Sequence, residues 1–474
     1  MIGEEVLFSS IREIGAHLRA KRISAVDLAE MSLRRLETIG PRLGAVVTVT
    51  RERALAQAHR ANQELLAGKD RGPLHGIPYG AKDLLATRGI PTTWGAEPLR
   101  GQVFDFDATV VRRLEEAGAV LVAKLAMVEL AGGLGYNNPD ASFTGPGRTP
   151  WNPDHWSGGS SSGSAAAVAA GLVPFAIGSE TSGSILTPAA FCGVTGLRPT
   201  YGLVSRHGAM TLCWTLDKLG PLARGADECG LVLAAIAGAD PADPTTGASF
   251  RYRERGTKSG RPGQRFRVGV LRDATAGCDP EVASTFEQAV SAMRDVADVE
   301  EDVPFPDLPY REAVGLIVDA EGAAAFRDLI ESGKVKQLRD RADRVGGYAM
   351  VMTRAADYLD AMRSRVAMRA QLDALVARYD ALVAPTRTRL APPIGRDFDV
   401  PAPGTPPAPA RPPATIPAGN LAGLPALALP MGFGKARLPT SLQLLGRAFS
   451  EETLLALAAA YQEMTDWHRR RPPL

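Results

Sequence analysis

Residues 157–199 read SGGSSSGSAAAVAAGLVPFAIGSETSGSILTPAAFCGVTGLRP and carry two glycine- and serine-rich turns, at 158–164 and 178–184, around one small apolar helix. Glycine permits positive φ and a close approach of the backbone to a ligand, and a serine hydroxyl can act as a nucleophile. Both turns run directly into apolar, helix-forming sequence, which is not typical of a flexible linker. Together they predict a preorganised hydrolytic site.

Two other functions of these turns fit the sequence less well. A phosphate-binding loop is disfavoured because neither turn carries the G-K-[ST] ending, and because Glu180 would repel a phosphate. Residues 159–163 formally match G-x-S-x-G, the nucleophile elbow of α/β-hydrolases, which requires an apolar strand just before the serine. The preceding residues, GRTPWNPDHWS, are polar and twice interrupted by proline.

Composition and charge exclude several classes of protein. The 474 residues are 45% apolar and 22% charged with a net charge of +2, as in an ordinary globular protein without a polyanionic partner. We therefore expect no binding to nucleic acid. The four cysteines are widely spaced, which predicts reduced thiols and a cytoplasmic location. No signal peptide and no apolar run long enough to span a membrane is recognisable.

The chain alternates helical and strand patterns, which favours an α/β fold with a mostly central sheet. The first seventy residues are expected to be helical, with Ser24 and Asp27 capping the second helix. Further helices are expected at 54–66, 107–117, 227–237, 281–296, 312–330 and 349–378, and strands within 72–87 and at 119–122, 267–271 and 381–384.

The sequence predicts one domain over residues 1–474. A helical cap is expected as an insertion at about 300–380. Residues 391–417 are so rich in proline that we expect a surface loop without regular structure.

The serines need a base, because a serine hydroxyl is a poor nucleophile until its proton is removed. The six histidines show no spacing that places one beside the serine turns. Lys82 lies in GIPYGAKDLL, among apolar residues and glycines, and burial can keep a lysine amine neutral. The alternative is a surface lysine paired with Asp83.

Several motifs together resemble the amidase signature family, and the resemblance covers nearly the whole chain. The motifs are GIPYGAKD at 76–83, GGSS at 158–161, GSI at 183–185, PAAFCG at 188–193 and GLRPTYG at 196–202. The resemblance implies an amidase-signature fold, a twisted mixed β-sheet with helices on both faces. It also implies a stand-alone hydrolase of the C–N bond in amides.

The resemblance implies a catalytic triad in which Ser184 is the nucleophile, Ser160 the bridging serine and Lys82 the base. The peptide bond before Ser160 would be cis. No metal ion and no organic cofactor is implied. The implied oxyanion hole consists of backbone N–H groups of Thr181, Ser182, Gly183 and Ser184.

The resemblance leaves the substrate open among amides, carbamates (urethanes), aryl amides and esters, and the assembly open between monomer and homodimer. Leu186 stands where the family often has arginine, which disfavours the A-type subunit of a glutamyl-tRNA(Gln) amidotransferase. The remaining alternatives are a non-catalytic binding protein of the same fold and that amidotransferase component. The candidate substrate-binding residues are Met127, Tyr136, Ser161 and Trp214.

Overall fold

The computed structural model of the protein describes residues 3–252, 265–398 and 412–474. In these ranges one mixed sheet of eleven strands is flanked by fourteen α-helices, which confirms the α/β fold. The strands are β1 (Val46–Val49), β2 (Pro78–Lys82), β3 (Val120–Leu125), β4 (Phe175–Glu180), β5 (Thr195–Arg198), β6 (Lys218–Ala223), β7 (Phe266–Leu271), β8 (Ala297–Val303), β9 (Ala381–Pro385), β10 (Ala426–Phe433) and β11 (Pro439–Leu445).

The helices precede the sheet, connect its strands and follow it. Helices α9 to α12 all lie between β8 and β9, in the region expected to form a cap. The helices are α1 (Ile11–Arg19), α2 (Ala25–Thr38), α3 (Arg51–Leu66), α4 (Thr109–Glu116), α5 (Ser162–Ala169), α6 (Leu186–Cys192), α7 (Ala226–Ile236), α8 (Pro280–Met293), α9 (Tyr310–Ala325), α10 (Arg327–Glu331), α11 (Asp343–Met350), α12 (Ala355–Val376), α13 (Thr415–Ala422) and α14 (Glu451–Met464).

The strand order brings two strand ends together at the site. The order is β1-β3-β2-β4-β6-β5-β10-β11-β9-β7-β8, and β2 runs parallel to both β3 and β4. Every residue of these three strands is buried, as expected for strands covered on both faces. Lys82 ends β2 and Glu180 ends β4, so both lie at the same edge of the sheet, where open α/β sheets bind ligands.

Helix α5 begins within the first serine-rich stretch, at Ser162, and lies against β2, β4 and α6. Its sequence, SGSAAAVA, contains no side chain larger than valine, and all eight residues are buried. A Cβ atom on Gly163 would lie only 2.3 Å from the carbonyl oxygen of Ala45. Small residues are therefore required here, because the backbone of α5 sits directly on its neighbours.

Most expected elements are present, with ends that differ by a few residues. Ser24 and Asp27 form a capping box at the start of α2, and the helix expected at 54–66 is the longer α3. The expected apolar strands are β2, β3, β7 and β9. The four cysteines are free thiols. Within the described ranges, no helix combines the length and the apolar content that crossing a bilayer requires.

Four expectations were wrong in detail. The first seventy residues are not all helical, because Val46–Val49 form β1, which pairs with β3. The single helix at 349–378 is broken between α11 and α12, because Arg354 adopts an extended backbone and its guanidinium binds Asp357. Residues 178–180 are not part of a turn, since they pair with β6 and extend β4. Helix α13 begins inside the proline-rich segment, where Pro417 occupies the first turn and needs no N–H partner. Residues 399–411 of that segment lie outside the described residues.

Candidate active site

The amine of Lys82 is fully buried at the end of β2. Its Nζ donates to Ser160 Oγ at 2.7 Å and to Ser179 Oγ at 2.9 Å. Burial lowers the pKa of Lys82 to about 7, although Asp217 and Glu180 act in the opposite direction. A large fraction of this amine is therefore neutral at pH 7 and able to accept a proton.

The carboxylate of Asp83 forms its ion pair with a different lysine, Lys124. One carboxylate oxygen lies 3.0 Å from the Nζ of Lys124, and both side chains are fully buried. The other carboxylate oxygen accepts the backbone N–H of Thr93. The alternative in which Lys82 is a surface lysine paired with Asp83 is therefore wrong, and no carboxylate is hydrogen-bonded to the Lys82 amine among the described residues.

Ser160 faces Lys82 from the turn that precedes α5. The Gly159–Ser160 peptide bond is cis, and the Ser160 carbonyl accepts the N–H of Val128. The carbonyl of Ser184 accepts the N–H of Ser161, so the two serine turns are joined through their backbones. The half-buried Ser184 hydroxyl makes no hydrogen bond in the described part of the chain. One half of the expected relay, Lys82 to Ser160, is thus formed.

The second turn presents four free backbone amides. In the structure as described, the N–H groups of residues 181–184 donate to no acceptor, while the next two, of Ile185 and Leu186, both donate to Glu180 Oε2. Gly183 has a φ of 95°, which a residue with a Cβ adopts only under strain. A row of free amides next to a serine hydroxyl is the arrangement that stabilises a developing oxyanion.

A buried ion pair between Glu180 and Arg198 holds the second serine turn in place. Glu180 Oε1 lies 3.0 Å from an Arg198 nitrogen, with both side chains fully buried, and accepts the side-chain amide of Asn420. Burial raises the pKa of Glu180, but Arg198 and the hydrogen bonds outweigh it, and the pKa lies below its usual value. Glu180 therefore stays ionised and holds the amides that follow Ser184 in place.

A cavity of about 360 Å³ opens beside the site, with Ser179 and Thr181 in its wall. Trp214 lines it, and the expected role of this residue in substrate binding stays a prediction. The other three candidates for substrate binding do not line it. Met127 belongs to the hydrophobic core and Ser161 is buried, with its hydroxyl bonded to the Ser179 carbonyl. Tyr136 packs against Trp156 and Phe398 instead.

The roles of two residues of the site were not predicted from the sequence. Ser179 is the second hydroxyl bound to the Lys82 amine, and it lies in the same GSETSGS segment as the nucleophile candidate. Glu180 carries the turn, but its partner Arg198 lies on β5, which is not adjacent to β4. Among the described residues, no group of three or more metal-binding side chains is arranged to hold an ion.

Comparison with known proteins identifies the relatives of this chain. The amidase family model matches residues 27–455. The chain belongs to the amidase family. It is 37% identical to the A-type subunit of glutamyl-tRNA(Gln) amidotransferase from Moorella thermoacetica over 99% of both chains, and 40% identical to that of Roseiflexus sp. over 95% of both. The expectation of a stand-alone member is therefore not confirmed.

The structure of peptide amidase from Stenotrophomonas maltophilia superimposes on this amidase with a TM-score of 0.84. The two chains are 33% identical, and the match covers 100% of this chain and 99% of the other. The protein is thus an amidase-family enzyme whose relatives include both a peptide amidase and amidotransferase components.

Proposed function

We propose that this amidase hydrolyses the C–N bond of neutral small-molecule amides through an acyl-enzyme on Ser184. The observation that carries the proposal is the buried amine of Lys82, which is hydrogen-bonded to Ser160 and whose pKa is lowered by burial to about 7. The four free amides at 181–184 support it, because they offer an oxyanion hole beside Ser184.

The reaction proceeds in two steps that use the same residues. The Ser184 Oγ attacks the carbonyl carbon while its proton passes to Ser160 and the Ser160 proton passes to Lys82. The C–N bond then breaks, and the leaving nitrogen takes the proton back from Lys82 through Ser160. Water attacks the resulting ester by the same proton path and releases the carboxylic acid. The Ser184 hydroxyl, which has no partner among the described residues, is free to turn toward Ser160.

The charges around the cavity favour a neutral substrate. Arg206 lines the cavity, but its guanidinium is bound to Asp243, Thr245 and the carbonyl of Trp214. Leu186, which replaces the arginine frequent in relatives, is fully buried. A buried carboxylate needs a cation or several donors to replace its water. Free glutamine carries such a carboxylate, and simple amides do not.

The second candidate is the A-type component of a glutamyl-tRNA(Gln) amidotransferase. Identities of 37% and 40% over at least 95% of the chain favour it. This function requires glutamine as the amide donor. The carboxylate of glutamine would need a cation, and the guanidinium of Arg206 is already bound to Asp243, Thr245 and the Trp214 carbonyl. Carbamates, aryl amides and esters are further substrates for the assay, because the same acyl-enzyme chemistry cleaves them.

The test is a substrate panel on the purified protein: a primary amide, a p-nitroanilide, a p-nitrophenyl carbamate, a p-nitrophenyl ester and L-glutamine. We expect turnover of neutral amides and an acyl adduct on Ser184 by mass spectrometry. Ser184→Ala should abolish both, whereas Ser364→Ala, an exposed serine on α12, should abolish neither. Turnover of glutamine alone, with transfer of ammonia to Glu-tRNA(Gln) by co-purified partner proteins, would establish the second candidate. No turnover and no adduct would mean a binding protein.

A further inference from the structure

Trp214 is an exposed aromatic residue in the wall of the cavity that opens beside the candidate active site. Its relative exposure is 46%, and its ring makes no aromatic contact or hydrogen bond among the described residues. Large aromatic rings are normally buried, since each can remove roughly 150–250 Å² from water. An exposed ring inside a cavity is therefore a surface to which an apolar group of a ligand can bind.

The backbone on both sides of this ring is fixed by two carboxylates, those of the partly buried Asp217 and the buried Glu321. Asp217 accepts the N–H groups of Leu212 and Cys213, each at 2.9 Å. Glu321, on α9, accepts the N–H of Thr215 at 3.0 Å and its hydroxyl at 2.8 Å. The segment cannot withdraw the ring from the cavity without breaking hydrogen bonds to charged groups, which are the stronger kind.

The carbonyl of Trp214 is also held. It accepts the Tyr201 hydroxyl at 2.8 Å and the guanidinium of Arg206, which stacks 4.9 Å from the centre of the Tyr201 ring. The polar part of Trp214 is therefore used for structure, and its indole ring is left free. The Trp214 ring is thus a rigid platform, held by its backbone and open to a ligand on its face.

The platform is connected to the oxyanion turn. Asp217, which fixes one side of the Trp214 segment, also accepts the hydroxyl of Thr181 at 2.6 Å. Thr181 and Trp214 line the same cavity, so one ligand can reach both. The rest of the lining is largely apolar and includes Leu84, Ala131, Ala209, Met210, Leu212 and Leu219.

We propose that Trp214 determines substrate specificity and that the preferred substrates are neutral amides carrying a flat aromatic group on one side of the scissile bond. The proposal rests on the proposed function and narrows its substrate class. The aromatic group stacks on the indole ring while the carbonyl oxygen occupies the amides at 181–184. Offset stacking of two rings adds to the burial of apolar area, so its loss is measurable.

The test compares two amides that differ only in the aromatic group, p-nitroacetanilide and N-methylacetamide, with phenylacetamide as the acyl-side counterpart. For Trp214→Ala we expect kcat/KM for one of the aryl amides to fall about tenfold more than for N-methylacetamide. Trp214→Phe should restore most of the difference. Phe449→Ala, an exposed aromatic outside the cavity lining, is the matched control and should leave the ratio unchanged. Equal losses for aryl and alkyl amides, or no loss, would overturn the proposal.

A binding measurement separates this proposal from the proposed function. Calorimetry of p-nitroacetanilide and of phenylacetamide with the Ser184→Ala protein measures binding to the Trp214 platform in the absence of hydrolysis. We expect at least one aryl amide to bind about tenfold more weakly when Trp214→Ala is added. If binding depends on Trp214 but the wild-type protein hydrolyses no amide, the proposed hydrolysis is refuted and the role of Trp214 in binding stands. Hydrolysis with binding indifferent to Trp214 would refute the platform alone.

Discussion

Replacing Glu180 by glutamine should damage both stability and catalysis, because one carboxylate carries four hydrogen bonds under the oxyanion turn. It accepts two backbone amides, the Asn420 amide and the Arg198 guanidinium. The substitution preserves the shape of the side chain and removes its charge. It leaves the fully buried Arg198 without a counter-ion and turns one acceptor oxygen into a donor.

The size of the effect follows from this burial. Breaking a buried ion pair by removing one partner costs about 3–5 kcal/mol, since the remaining charge is uncompensated. We therefore expect Glu180→Gln to lower the free energy of unfolding by that amount. The amides at 181–184 would lose their support, and the loss of one oxyanion donor alone lowers kcat about 10²–10³-fold.

Urea unfolding and kcat on a neutral amide measure the two effects separately. Asp298→Asn breaks the exposed pair with Arg265 and is the matched control, with an expected change below about 1 kcal/mol. The double variant Glu180→Gln/Arg198→Met should recover part of the stability, because it removes the stranded charge. A Glu180→Gln protein within about 1 kcal/mol of the wild type and with full kcat would refute the reasoning.

Three further changes test other parts of the site. Lys82→Met should lower kcat/KM about 10²–10⁴-fold at every pH, as steady-state kinetics would show; full activity would exclude Lys82 as the base. Ser179→Ala removes one of the two acceptors of the Lys82 amine, worth about 0.5–1.5 kcal/mol, and should cost far less kcat/KM than Ser160→Ala; equal losses would mean that Ser179 carries the proton. Asp83→Asn leaves the buried Lys124 unpaired and should lower the unfolding free energy by about 3–5 kcal/mol in urea; an unchanged midpoint would contradict the pairing.

Local sequence was enough to select the residues that are proposed to carry the chemistry. Lys82, Ser160 and Ser184 stand in short motifs whose glycines and serines dictate turns, and the resemblance to a family gave each a role. The α/β class followed from alternating patterns, because buried parallel strands read as apolar runs between helices.

The supports of the site could not be predicted, since they join residues that are distant in the chain. Arg198 reaches Glu180 only because a single strand, β6, lies between β5 and β4 in the sheet. Lys124 meets Asp83 because β3 runs parallel to β2. Ser179 meets the Lys82 amine through the register of β2 and β4. Strand register depends on the whole sheet and not on local propensity.

Side-chain direction was the other source of difference. Met127 and Tyr136 belong to a segment near the site, yet one enters the core and the other packs on aromatic neighbours. Sequence alone places a residue near a cavity but does not fix the side to which it points. Trp214 lines the cavity because its backbone is held by Asp217 of the same segment and by Glu321, which lies about a hundred residues further along the chain.

The most direct test is the rate at which a fluorophosphonate probe labels Ser184 as a function of pH, from about pH 5 to about pH 9. A neutral lysine that accepts the serine proton through Ser160 gives a rate that rises with pH and reaches half its maximum near pH 7. The rise should vanish in Lys82→Met, whose labelling should be slow throughout. A wild-type rate that does not change with pH, or equal rates in the two proteins, would contradict the account.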